Sequence, residues 1–216
     1  MGKSTSNLED ISQKIRSGFA GADTAREKAL RLCRESIRYS SNAIRAIHRG
    51  EFDQARSAME TNRSLLKEAM EGVVDQPDLR FAGFVHDAQK EYAEARVTLA
   101  LVRNEPLPTP EELGVGNAAY LHGMGEAVGE IRRHLLDLMR RDDLSGCEDL
   151  LCSMDDIYGV LVTMDFPDAL TFGLRRTTDV VRGILEKTRG DLTIAMRQRE
   201  LEQKLSRIET PESSPY

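Results

Sequence analysis

Four glutamates in two helical segments are the side chains best suited to bind a divalent cation. Glu91 and Glu94 lie three residues apart, and Glu126 and Glu130 lie four apart, so each pair shares one face of its helix. Carboxylate oxygens are hard ligands that suit Mg²⁺ or Mn²⁺ better than zinc. An ion held between two such faces could polarise a phosphodiester and generate a hydroxide nucleophile.

The same carboxylates also have an ordinary interpretation, in which they form a solvated helix surface. At about 100° per residue, Glu91 falls on the shoulder of the apolar seam of its helix. Glu126 and Glu130 point largely away from the seam that runs from Leu121 to Leu138. Spacing by itself therefore favours a solvated surface over a metal site.

Three glycines around the second glutamate pair favour the site. They are Gly123, Gly125 and Gly129. Each glycine weakens a helix interior by about 1 kcal/mol, so these residues are easier to explain if another backbone or a ligand approaches closely. His122 lies one turn before Glu126 and could join such a site, although the histidines of the chain form no catalytic arrangement.

A row of arginines on the first long helix is the second feature that could bind a ligand. The row comprises Arg31, Arg34, Arg38 and Arg45. These residues recur at intervals of three, four and seven, about a quarter turn from an apolar seam. We expect no acid to be interleaved along this line. Such a row is typical of a track for phosphates. Pairing with acids on a neighbouring helix is an equally good interpretation.

The elements that must position these residues are helices. Apolar residues repeat at three and four along every long segment, and no strand pattern competes. The sequence predicts an all-α, single-domain bundle of about seven helices joined by short loops. We expect an N-terminal segment, 1–22, with a short helix that ends near Gly18–Gly21, then a helical domain, 23–207, and a disordered tail, 208–216.

Charge and cysteine content narrow the functional class. A net charge of −6 argues against nucleic-acid binding by the whole surface, but allows a local basic row. The 3 cysteines have no CxxC or histidine partner at ligand spacing, which indicates buried thiols in a reducing cytosol. No segment is apolar enough for a membrane span. We therefore expect a cytoplasmic protein that does not bind membranes.

Several motifs, in order and at matching spacing, resemble the translin family, which comprises translin and its partner Trax. The resemblance runs from about Arg26 to Leu192. Its elements are the Arg-rich first helix that ends at His48–Gly50, the segments Gln89–Ala95 and Tyr120–Glu130, Asp156–Tyr158 with Leu161, and Leu174–Arg176 followed by Asp179, Arg182, Leu185–Glu186 and Asp191–Leu192.

The resemblance implies an all-helical subunit that assembles into a hollow octamer and binds RNA or single-stranded DNA on its inner surface. In the Trax branch it also implies a metal-dependent endoribonuclease. The acids of the Trax motifs correspond to Glu91, Glu94, Glu126 and Glu130, as catalytic residues and as ligands of Mg²⁺ or Mn²⁺. Glu126 stands where Trax has Asp, which keeps the charge and adds a methylene. Because it has all four acids, the chain resembles Trax more than translin. The resemblance also implies a compact prokaryotic or archaeal member of the family that forms homo-oligomers.

Two other classes stay open on the sequence. The protein could bind single-stranded RNA or DNA without catalysis, as translin does. It could also be a structural helical bundle whose acids only solvate it. In the endoribonuclease interpretation, the site formed by the four glutamates cleaves RNA, either single-stranded or as a short duplex. The arginine row holds the RNA backbone without reading bases.

Overall fold

The structure, a computed structural model, describes residues 5–209 and is all-α. No strand occurs in this part of the chain, which contains six long helices and three single-turn ones. The helices are α1 (Leu8–His48), α2 (Phe52–Gly72), α3 (Pro77–Arg80), α4 (Gly83–Val102), α5 (Pro110–Leu113), α6 (Asn117–Arg140), α7 (Cys147–Thr163), α8 (Asp168–Thr171) and α9 (Leu174–Glu209). The predicted all-α class is confirmed.

The two ends of the chain differ in detail from the prediction. Helix α1 is continuous through Gly18 and Gly21, so the break expected there is wrong, and the boundary between residues 22 and 23 falls inside a helix. A glycine lowers helix propensity but keeps the backbone hydrogen bonds, and here it does not end the helix. Helix α9 runs to Glu209, and the remainder of the predicted tail, 210–216, lies outside the described residues.

The helices group into two compact units. Among the described residues, the first unit comprises 5–96 and 108–123, and the second comprises 97–107 and 124–209. Helices α4 and α6 each continue unbroken from one unit into the other. Both site helices are therefore long, regular elements, which hold side chains more precisely than loops do.

A buried polar ladder fixes α1 against α2 in the first unit. Ser36 Oγ donates to Asn62 Oδ1 at 2.5 Å, and Asn62 Nδ2 donates to Ser40 Oγ at 2.7 Å. All three residues are fully buried. Buried polar groups are costly unless they are paired, so this ladder favours one register of the two helices over its neighbours. That register holds the arginine row of α1 on the outside.

In the second unit, an arginine joins α6 to α9. Arg132 donates to Asp191 at 2.8 Å and to Thr188 at 3.0 Å. Thr188 is fully buried beside the apolar contacts of α9. Because the guanidinium satisfies two partners at once, it orients α6 on α9 more strictly than apolar packing alone. The segment of α6 that carries Glu126 and Glu130 therefore has a fixed rotation in this unit.

The cysteines are free thiols, and their burial is mixed. Cys33 and Cys147 are buried as expected, but Cys152 is exposed. Burial raises the pKa of Cys33 to about 11, so this thiol is less reactive than an ordinary one. None of the described helices is both long enough and apolar enough to cross a membrane.

Candidate metal and nucleic-acid site

Helix α4 brings Glu91 and Glu94 to a largely buried position. The predicted seam of this helix is confirmed, since Ala88, Tyr92 and Ala95 are fully buried. Glu94 is itself only 8% exposed, and the side chain of Glu91 is 26% exposed. The interpretation of this pair as a solvated surface is therefore wrong. A carboxylate buried to this degree requires compensating hydrogen bonds or positive charge.

Gln89, one residue before Lys90, ties this part of α4 to its neighbours. Its side-chain NH₂ donates to the sulfur of Met70 on α2 at 3.5 Å, and its side-chain oxygen accepts from the backbone N–H of Gly116 at 3.1 Å. Gln89 is 8% exposed. These two bonds hold α4 just before Glu91 and hold the chain just before α6 begins.

Gly123 allows α6 to approach the backbone of α4 very closely within the first unit. A Cβ atom at this position would lie 2.5 Å from the carbonyl oxygen of Lys90, and 2.8 Å from both Ala93 Cβ and Glu94 N. Side chains do not tolerate such distances, so only glycine fits here. The close approach expected from the glycines is confirmed at this residue.

The other two glycines of α6 differ from each other. A Cβ at Gly125 would lie 2.5 Å from Thr177 Cγ2 on α9, so this position is also tightly packed. At Gly129 the nearest atom, Ile184 Cδ1, is 3.9 Å away, which is ordinary contact. Two of the three glycines therefore have a steric reason, and both stand within three residues of Glu126 on the N-terminal side.

Three of the four predicted glutamates come together. Glu91, Glu94 and Glu126, which we call the glutamate cluster, each offer a carboxylate oxygen, and these oxygens all lie within 4.8 Å of one another. Glu130 is outside this set, one turn further along α6, where its Oε2 lies 3.9 Å from Arg133. Its side chain is 25% exposed. The structure thus assembles a three-carboxylate group with Glu130 nearby on the same helix.

The glutamate cluster fits a divalent cation. Two oxygens on one octahedral Mg²⁺, at about 2.1 Å from the ion, lie about 3 to 4 Å apart. The oxygens of the cluster all lie within 4.8 Å of one another, which is close to these values. Negative groups held this close repel one another unless a cation balances them. All three donors are hard carboxylates, which suit Mg²⁺ or Mn²⁺.

Sequence reasoning missed Lys90, which lies beside the cluster, and His86, which lies one turn earlier on the same helix. Lys90 Nζ lies 3.6 Å from Oε1 of Glu91, and the ring of His86 meets the ring of His122 edge to face, with centroids 5.4 Å apart. A signal was present in the sequence, because His86, Lys90 and Glu94 follow one another at intervals of four. Residues so spaced share one helix face, as His122 and Glu126 do on α6.

His86 should make the stability of the protein sensitive to acid. Burial, followed by the charge of neighbouring His122, lowers its pKa from the ordinary 6.5, against an opposing effect of Asp87. Between the folded and unfolded pKa values the unfolded chain binds more protons, so stability is lost as pH falls below about 6.5. We expect urea midpoints to drop from pH 7.5 to 5.5, and to drop less in His86→Gln. His134→Gln is the control, and an equal slope in both variants would contradict the assignment.

The arginine row is exposed along its whole length, but an acid does lie within it. Arg31, Arg34, Arg38 and Arg45 are all exposed. Arg38 pairs with Glu35 at 3.2 Å, so the expectation of a row without acids is wrong. Arg45 donates to Asn42 at 2.7 Å, and Arg34 has no ion pair with any described residue.

The alternative interpretation of the row, pairing across helices, has support at one end. The pKa of Glu68 on α2 is lowered mainly by its hydrogen bond with Lys28, and in smaller part by the charge of Arg31. Arg34, Arg38 and Arg45 make no such contact with α2. The row is therefore partly balanced by acids and partly available to an anionic partner.

Comparison with known proteins places the chain among helical proteins of one family. No family model matches. An uncharacterized protein of Methanocaldococcus jannaschii, MJ0175, is 30% identical over 193 residues, which cover 88% of this chain and 85% of the relative. Two solved structures of AfC3PO, one of them in complex with duplex RNA, are each 31% identical over 89% of this chain and 98% of theirs.

The structural agreement is close over almost the whole chain. The TM-scores are 0.79 for AfC3PO with duplex RNA and 0.78 for AfC3PO. Apo-NeC3PO, 21% identical over 88% of this chain and 97% of its own, has a TM-score of 0.72 and shares the fold. C3PO is the complex of translin and Trax. The chain therefore belongs to the translin/Trax family.

Proposed function

We propose that this protein is a metal-dependent endoribonuclease that cleaves RNA inside a hollow homo-octamer. The observation that carries the proposal is the glutamate cluster, in which three carboxylate oxygens lie within 4.8 Å of one another and Glu94 is buried. Three converging carboxylates, one of them buried, repel one another and require positive charge nearby. The glutamate cluster suits a Mg²⁺ or Mn²⁺ site, with Glu130 as a further ligand from the next turn of α6.

The roles of the residues follow from their chemistry. Glu91, Glu94 and Glu126 would hold the ion, and Glu130 would either complete the set or orient it. When bound, Mg²⁺ or Mn²⁺ supplies the Lewis acidity and the activated water that phosphodiester hydrolysis requires. The exposed arginine row holds the phosphate backbone, which positions RNA without reading its sequence. The complex of AfC3PO with duplex RNA supports an RNA partner.

Assembly into oligomers has support from the first part of α1. Leu8, Ile11, Ile15 and Phe19 follow one another at helical spacing and are between 45% and 73% exposed. An apolar stripe of this kind marks a surface that binds another protein subunit. In a closed homo-oligomer, further copies of this chain would cover it. We place the protein in the cytoplasm, in keeping with its free thiols.

The direct test is cleavage of labelled RNA by the pure protein with Mn²⁺. We expect cleavage that stops with EDTA and falls by at least about 100-fold in the double variant Glu91→Ala/Glu94→Ala, because the ion loses two of its ligands. RNA binding, measured by gel shift, should persist in that variant. Glu71→Ala removes an exposed acid and should cleave normally.

The second candidate function is binding of single-stranded RNA or DNA without cleavage. It is favoured by the position of Glu130, which lies outside the glutamate cluster, and by the pairing of Glu91 with Lys90. If the wild-type protein shifts RNA but cleaves none with Mg²⁺ or Mn²⁺, this function replaces the endoribonuclease. A gel shift with single-stranded RNA, single-stranded DNA and duplex RNA then defines the ligand.

The arginine row has its own test, in the salt dependence of RNA binding. Replacing both Arg34 and Arg38 by alanine should weaken binding and reduce the slope of log K against log salt by about 1 to 2, because two phosphate contacts are lost. Gel shifts at several salt concentrations give the slope. Arg175→Ala/Arg189→Ala removes the same charge from α9, where both residues are paired with acids, and should leave the slope unchanged. An unaltered slope in the α1 variant would remove the row from the interface.

A further inference from the structure

Lys90 is unusually buried for a lysine in an ion pair. Its side chain is 20% exposed, and its Nζ lies 3.6 Å from Oε1 of Glu91. Three other lysines pair with glutamates in the described part of the chain, and their side chains are 50%, 77% and 65% exposed. Lysine normally keeps its ammonium in water, so this placement requires a local source of negative charge.

The surroundings of Lys90 identify that source as the glutamate cluster. Glu91, its partner, is one of the three carboxylates whose oxygens converge. The charge of Lys90 also reaches His86 one turn earlier, where it is the smallest of the causes that lower the pKa of that histidine. The Lys90 backbone is held in place as well, because its carbonyl oxygen lies under Gly123 of α6. The backbone of Lys90 is thus held in place, and its ammonium lies beside the glutamate cluster.

We propose that the Lys90 ammonium is the resident cation of the glutamate cluster, competing with the divalent ion for Glu91 and contacting the RNA phosphate once that ion is bound. This rests on the proposed function. An ammonium close to Glu91 balances part of the cluster's charge and repels a divalent ion that enters the same space. When the ion takes over Glu91, the three N–H donors of Lys90 remain at the site. Lysine then serves as a point charge for a phosphate oxygen.

The competition predicts effects of opposite sign on binding and on cleavage. Lys90→Met keeps the length of the side chain and removes its charge. We expect Mn²⁺ to bind this variant about tenfold more tightly in calorimetric titration without RNA, because the repulsion is lost. We expect cleavage at saturating Mn²⁺ to fall about 100-fold, because the phosphate loses its contact. A lysine with only a structural role would lower both quantities together.

Two variants control the experiment. Lys90→Arg keeps the charge and should bind Mn²⁺ as the wild type does, and Lys67→Met removes an exposed lysine and should change neither quantity. Thermal denaturation identifies a variant that fails to fold, in which case Lys90→Gln replaces it. Weaker or unchanged Mn²⁺ binding in the neutral variant overturns the competition. Tighter binding with unchanged cleavage overturns the phosphate contact.

The wild-type protein separates this inference from the proposed function. If the wild type binds Mn²⁺ and cleaves RNA while Lys90→Met matches it in both, the role of Lys90 is wrong and the function stands. If the wild type binds Mn²⁺ without cleaving RNA, the endoribonuclease is wrong, and tighter Mn²⁺ binding by the variant still supports the competition.

Discussion

Replacing Gly123 by alanine is expected to weaken Mn²⁺ binding at least about tenfold and to destabilise the protein by about 1 to 3 kcal/mol. The added methyl group would lie 2.5 Å from the carbonyl oxygen of Lys90 and 2.8 Å from Glu94 N. Backbone atoms of a packed helix cannot move aside as a flexible side chain can. Helix α6 must therefore shift away from α4.

That shift reaches the metal site directly. Glu126 lies three residues beyond Gly123, about 4.5 Å along the helix axis. It moves with the glycine because both belong to one unbroken helix. Its carboxylate oxygen has to stay within a few ångströms of Glu91 and Glu94 for one ion to reach all three. Metal affinity is accordingly more sensitive than stability to this substitution.

Gly129→Ala is the matched control for Gly123→Ala. It makes the same change on the same helix, but its new methyl group would lie 3.9 Å from Ile184 Cδ1, in ordinary contact. We expect unchanged Mn²⁺ affinity and a stability that is equal or up to about 1 kcal/mol higher, from the better helix propensity of alanine. Calorimetric titration with Mn²⁺ and urea denaturation measure both variants. Equal Mn²⁺ affinities would show that the close approach does not position the site.

The apolar seams of the long helices were predictable from the sequence because each reports a single buried face. Ala88, Tyr92 and Ala95 repeat at helical spacing and are all fully buried. Glu94 was not predictable in this way. It lies off that seam, on a part of α4 that Gly123 of α6 approaches closely. Periodicity along α4 cannot reveal such a second neighbour. In the sequence of a helix with two buried faces such as α4, one face appears as an apolar stripe, and the other, which carries Glu94, appears polar.

The glycines gave the physical indication of that second neighbour. A residue that costs a helix about 1 kcal/mol, present three times within seven positions, indicates a close contact, but it does not name the partner. The spacing of the carboxylates allowed Glu126 to meet Glu91 and Glu94 but by itself favoured a solvated surface, and the resemblance to Trax favoured the site. The structure then supplied the reason for the tight packing, at Gly123 and Gly125 but not at Gly129.

The same reasoning failed at Gly18 and Gly21, where glycine was taken as the end of a helix. Both face open space in the middle of α1, with nothing within 4 Å of a Cβ atom. Sequence spacing does not distinguish a glycine that ends a helix from one that only weakens it. The positive φ of 75° at Gly50 is the feature that separates a true helix end from these two.

The second large effect is expected for Glu94→Gln, which should stabilise the metal-free protein while abolishing its response to metal. Glu94 is 8% exposed, and two further carboxylates lie within 4.8 Å of its own. A pair of like charges at that distance repels by about 1 to 3 kcal/mol, depending on the local dielectric. Glutamine has the same shape without the charge. We therefore expect a metal-free stability higher by about 1 to 2 kcal/mol.

The stabilisation of the protein by metal should be lost in Glu94→Gln. Mn²⁺ binds the folded protein and raises its melting temperature, by an amount that grows with metal concentration. Glu94→Gln replaces a charged ligand by a neutral amide, so this rise should vanish and RNA cleavage should fall at least about 100-fold. Differential scanning calorimetry with and without Mn²⁺ measures both effects.

Glu71→Gln is the control for Glu94→Gln, because it makes the same chemical change at an exposed glutamate that pairs with exposed Lys67. It should melt as the wild type does and keep the Mn²⁺-dependent rise. A metal site is distinguished from a buried structural acid by two changes in Glu94→Gln: a higher melting temperature without metal and the loss of the rise with Mn²⁺. A structural acid held by hydrogen bonds would lose stability when neutralised, with or without metal. A lower melting temperature of Glu94→Gln in EDTA would therefore contradict the site.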